Sequence, residues 1–183
     1  MATRPFPADA VVNYAAADAG RLNRHQLTVL AASPAEVVQV AGGWLFDQAR
    51  AGWDVNVRVA GPADRRPLTI LGAGALGAEC ETLLSGIPDT GAVAVTAELL
   101  RIDVNVRAWL LDSVKRAGAK ITVLGSWPAE LGGPLEPARH QLSVAAQAFK
   151  VRALAAAAVD GGVTATETLY EVRAQALRPL YPV

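Results

Sequence analysis

The sequence predicts an α/β fold: a single-domain three-layer sandwich on a mainly parallel sheet, with one antiparallel β-hairpin over residues 54–71 and a helical C-terminus. Three observations carry that expectation. Apolar, β-rich runs alternate with segments of helical periodicity in the order β-α-β-β-α-β-α-β-α-α. A strong helix-start signal, Ser33-Pro34-Ala35-Glu36, stands directly behind one of the apolar runs. No linker divides the chain, and 183 residues suit one domain.

Taken in order, residues 1–24 form an Ala/Asp/Asn-rich extension with one short helix expected over 8–17, and residues 25–183 form the α/β domain. Residues 25–32 read as a strand centred on Leu27, Val29 and Leu30. Ser33 then suits an N-cap, Pro34 the first helical position, and Glu36 a capping box that reaches back to the Ser33 N–H. The helix that follows places Val37, Ala41, Trp44, Leu45 and Gln48 on one face. Gly42 and Gly43 inside it each cost about 1 kcal/mol relative to alanine, a cost accepted where another backbone packs close. Residues 54–60 alternate Val55, Val57 and Val59 with Asn56 and Arg58, as a half-exposed strand does. A polar turn and a second run at 67–71 complete the expected hairpin, because the connection is too short for a crossover helix.

A short helix is expected over 76–85 and a buried strand over 92–96. Asp103 caps a helix whose face is Val106, Trp109, Leu110, Ser113, Val114 and Ala117, with Lys115 and Arg116 suiting its C-terminal dipole. Residues 121–124 form an apolar strand, and 125–137 a long Gly/Pro-rich loop. A long Ala-rich helix is expected over 138–159, and a last one over 164–177 with Thr164 and Glu167 as its capping box. Asp-Val-Asn-Val-Arg occurs at both 54–58 and 103–107. The first copy reads as strand and the second as helix, so coincidence explains it better than duplication.

Composition excludes several classes. Seventeen basic and seventeen acidic residues give zero net charge, which argues against a dedicated nucleic-acid binder. Hydrophobic residues make up 52% and charged residues 19%, a balance at odds with disorder. One cysteine, Cys80, excludes an intramolecular disulfide and a Cys-rich zinc site. No run approaches the ~18 apolar residues of a membrane span, and a cytoplasmic location is expected. His25 and His140 lack metal-ligand spacing, so no metal is expected.

The sharpest motif is Gly72-Ala73-Gly74-Ala75-Leu76-Gly77, which fits G-x-G-x-x-G. In a dinucleotide site Gly72 makes the tight turn, Gly74 admits the pyrophosphate and Gly77 lets helix and strand pack closely. Glu98 lies about twenty residues further on, where an acid for the ribose belongs. The acids Glu79 and Glu81 oppose a phosphate there, and the alternative is a small-residue turn between strand and helix. Arg58, Arg65 and Arg66 are expected at a basic hairpin tip that grips phosphate or is simply solvated. Trp127, beside Pro128 on the long loop, is a candidate partner or ligand surface. No nucleophile elbow or Walker motif is present.

The first functional expectation is therefore a non-catalytic binding or regulatory module for a protein partner, a second copy or a small ligand. The alternative is a nucleotide- or dinucleotide-dependent enzyme built on the 72–77 loop. A third is a winged-helix DNA binder with residues 34–50 as recognition helix, which Glu36 and Asp47 oppose.

Overall fold

The computed structural model describes residues 25–60, 64–76, 83–87, 91–116, 120–128, 131–132 and 136–172. The 1–24 extension with its helix, Gly77, Cys80 and most of the expected 76–85 helix lie outside the described residues.

The chain runs β1 (Gln26–Ala31), α1 (Pro34–Arg50), β2 (Asp54–Val59), α2 (Arg66–Ile70), β3 (Gly74–Leu76), β4 (Ala92–Thr96) and α3 (Ala97–Ile102). It continues through α4 (Val104–Lys115), β5 (Lys120–Leu124), β6 (Ala138–Gln141), α5 (Val144–Ala156) and β7 (Thr166–Val172). Among the described residues the strands form one seven-stranded sheet, ordered β3-β2-β1-β4-β5-β7-β6. β1 to β5 are parallel, and β7 is antiparallel to both β5 and β6. The α/β class with a mainly parallel sheet is thus the one expected.

β1 is buried at five of its six positions, as a central parallel strand covered on both faces must be. On one face Leu27, Val29, Val57 and Leu169 pack with Val37, Leu45 and Leu154 of the helices α1 and α5. On the other, Leu30, Val93, Val95, Ile121 and Val123 pack with Val106, Leu110 and Val114 of α4. These two apolar layers are the middle of the three-layer sandwich.

Three local expectations are corrected. Residues 54–71 are not a hairpin: 66–70 is the short helix α2, and the next strand β3 pairs parallel to β2. Pro67 stands in the first turn of α2, where its fixed φ suits a helix and its missing N–H costs nothing. The antiparallel pairing lies on the far side of the sheet instead, where β7 pairs with both β5 and β6. The 138–159 helix begins only at Val144, capped by Ser143, and its first four residues are β6. The chain's 166–172 segment is β7 rather than helix. Its Thr166, Thr168, Tyr170 and Val172 alternate with period two, which outweighs the Thr164–Glu167 cap signal.

α1 departs from regular geometry at Ala41 (φ −146°, ψ 15°). The break frees the Gly43 and Trp44 N–H groups and the Gln39 carbonyl. The Glu167 carboxylate of β7 accepts from Gly43 N at 3.0 Å and Trp44 N at 2.7 Å. Lys150 of α5 donates to Gln39 O at 2.7 Å and pairs with Glu167 at 2.6 Å. Each half-helix therefore meets the charge that its dipole favours. A Cβ on Gly43 would stand 2.5 Å from Leu142 Cδ1, so a larger residue there displaces the packed Leu142 side chain, which stands where a close backbone was expected.

Candidate active site

In an open α/β sheet, ligands enter over the carboxyl ends of the strands where the strand order reverses. Here β1 leads through α1 to β2 on one side, while β4 leads through α3 and α4 to β5 on the other. The reversal falls between β1 and β4. The chain at that point supplies Ala32, Ser33 and Glu36 after β1, and Thr96 and Glu98 after β4.

Ser33 forms the expected N-cap, its Oγ accepting from Glu36 N at 3.2 Å. The Glu36 carboxylate does not close the capping box. Oε2 accepts from Ala32 N at 3.2 Å and from Thr96 Oγ1 at 2.9 Å, and Oε1 from Glu98 N at 3.3 Å. Thr96 is fully buried and also caps α3 through Leu99 N. Glu36 thus bridges the two strands at the reversal. Burial raises its pKa above the usual carboxylate value, with the Glu98 charge adding to this; the three hydrogen bonds oppose the rise without cancelling it. Such a carboxyl is suited to taking and returning a proton. Its other acid neighbour, Glu98, is exposed and tied to Arg101 at 3.1 Å.

The structure separates most of the residues singled out in the sequence. Gly72 (φ +77°) forms the turn before β3, and Gly74 opens β3 at the edge of the sheet. Glu98 follows the carboxyl end of β4, so the glycines and the acid stand at opposite ends of parallel strands. A Cβ at Gly74 would meet Asn56 Oδ1 at 3.0 Å. The described part of the motif is therefore a turn and an edge strand. Arg58 donates to the carbonyls of Leu83, Ser85 and Gly86, holding that segment rather than a phosphate. Arg65 and Arg66 are exposed at the start of α2, so the basic hairpin tip is not formed. Trp127 is half-buried against Tyr170 (ring centroids 5.6 Å apart) and donates to Gly132 O at 3.2 Å, which makes it a packed residue of the loop. The winged-helix reading fails because α1 buries Val37, Val38 and the whole run 41–46 against the sheet.

Sequence reasoning missed Glu36 and Thr96 as site residues. The available signal was an acid two positions past Pro34, directly behind a buried strand. Among the described residues no three His, Cys, Asp or Glu side chains converge as metal ligands. Glu36 and Glu98 alone do not make a zinc site, and no step is assigned to a metal.

No family model and no curated protein matches the chain. Solved structures do share its fold. A deacetylase triple mutant of the teicoplanin biosynthetic pathway aligns with a TM-score of 0.58 at 12% identity, over 80% of this chain and 97% of that one. A teicoplanin-pathway deacetylase in complex with teicoplanin gives 0.54 at 12% identity, over 81% and 98%. The A40926 pseudoaglycone deacetylase gives 0.52 at 14% identity, over 81% and 97%. At such identity the fold is what is shared. The proteins that share it are enzymes, and this corrects the expectation of a non-catalytic module. No helix among the described residues is long and apolar enough to cross a membrane.

Proposed function

We propose that the chain is a hydrolase that removes an acyl group from an amine, working over the carboxyl ends of β1 and β4 with Glu36 as general base. The observation that supports this most is the Glu36 carboxyl: it is fixed by donors from both strands, and burial raises its pKa. The shared fold with deacetylases is consistent with the same reaction class.

In this reading Glu36 takes a proton from water as the water oxygen adds to the acyl carbon. The C–N bond then breaks, and Glu36 returns the proton to the departing amine. The first turn of α1 lends partial positive charge to the developing oxyanion. Thr96 positions the carboxylate through its hydroxyl.

The test is hydrolysis of a panel of N-acetyl amines, with acetate and free amine both measured. Glu36→Gln should lower kcat by about 10²–10⁴-fold. The wild-type pH–rate limb should rise at a pH above the ordinary carboxylate range. Turnover that survives in the Gln variant, or no turnover by the wild type on any member, ends the reading.

A further inference from the structure

A cavity of about 290 Å³ lies away from the Glu36 crevice, at the other end of the sheet. It is lined by residues at the start of three parallel strands, Leu27, Ala92 and Lys120, below α1 and beside β6 and β7. Its size is near the lower end for small-molecule pockets.

Its walls carry hydrogen-bonding groups that no described residue satisfies. Thr122 is 7% exposed and Trp44 8% exposed, yet neither the Thr122 hydroxyl nor the Trp44 indole N–H has a partner among the described residues. The Gln48 side-chain amide and the Arg139 guanidinium are likewise unpaired there. Buried tryptophan N–H and threonine O–H groups nearly always find a partner. Among described side chains only Arg58 Nε is both fully buried and unpaired. The Trp44 and Thr122 polar atoms therefore keep some access to solvent, and both residues line the cavity.

Their chemistry narrows the ligand. Indole and guanidinium donate only, while the hydroxyl and amide donate as readily as they accept. The other polar lining groups already have partners: Lys120 pairs with Glu171 at 3.0 Å, and His140 is hydrogen-bonded to Asp47 at 3.0 Å. Arg139 is the lining cation left without a carboxylate among the described residues. Trp44 and Trp53 add two indole surfaces, and Leu27 and Leu169 an apolar floor.

We propose that this cavity binds a small planar aromatic carboxylate, its ring between the indoles and leucines and its carboxylate on Arg139. Guanidinium matches a carboxylate through two parallel hydrogen bonds. Thr122, Gln48 and the Trp44 N–H bind the ligand's remaining oxygen lone pairs. The site is independent of the acyl-transfer reading, which concerns the opposite end of the strands.

The experiment is calorimetric titration of the full chain with 2-naphthoate, and with the neutral, nearly isosteric 2-naphthamide as control. Naphthoate should bind at sub-millimolar concentration and at least tenfold more tightly than the amide. Arg139→Gln, at an exposed position that leaves the fold intact by circular dichroism, should abolish that preference. Thr122→Val should weaken naphthoate several-fold. Absence of naphthoate binding at 1 mM overturns the proposal. So does equal binding of acid and amide, or a preference that survives in Arg139→Gln.

Discussion

Two acids on α1 show how placement decides the behaviour of one functional group. Glu36 lies where burial outweighs three donors, and its pKa rises. Asp47 is also desolvated, but hydrogen bonds from Ser143 and His140 prevail and its pKa falls. The consequences for stability have opposite signs. A raised acid favours the folded state at low pH and loses that advantage as pH rises through its folded value. A lowered acid stabilises above its unfolded value, and the contribution is lost as pH falls through the folded one. Asp47 accepts from Ser143 Oγ at 2.6 Å and Ser143 N at 3.2 Å, tying the start of α5 to α1. Asp47→Asn should cost about 1–2 kcal/mol at pH 7. Denaturant melts at several pH values should show the gap closing below pH ~4. A gap that stays constant with pH would remove the carboxylate from the account. The Ser33 cap was legible because it is local. The work of Glu36 was not, because its partner Thr96 lies 60 residues away.

At the scale of elements, the break in α1 is held by charges from β7 and α5. Lys150 and Glu167 are each 4% exposed or less as side chains, so neither is solvated if the other is removed. Lys150→Met should leave the Glu167 carboxylate buried without its counter-ion and cost about 3–5 kcal/mol by chemical denaturation. A loss under ~1 kcal/mol would mean that the two backbone donors suffice. The Gly42-Gly43 pair advertised an irregular helix in the sequence, but nothing local named the acid and the amine that stabilise it. Glu167 was instead read as a helix cap. In isolation a Thr-x-x-Glu spacing within an alanine-rich region is a sound helix signal, and the competing β alternation of 166–172 is secured by pairing with β5 and β6. Pro67 was equally ambiguous, since it suits both the first turn of a helix and an edge strand.

For the whole molecule, the parallel strands β1, β2, β4 and β5 and the first helix are readable from periodicity, and so is the fold class; β3 is not. Nor is the order of strands, because it depends on which buried faces meet across long sequence separations. Those faces form two layers on one continuous sheet. The described domain should therefore unfold in guanidinium as a single transition, with tryptophan fluorescence and circular dichroism coinciding. Two separated transitions would divide the layers into independent units. β7 is the last described strand to be synthesised, yet it is inserted between β5 and β6. A nascent chain that has emerged only as far as α5 still exposes the edge of β5, and the carboxylate that secures the broken helix has not been made. The sheet is completed from within by late-arriving sequence. Vulnerability to mispairing on the ribosome is thus concentrated at β5, and it lasts until residue 172 is free to dock.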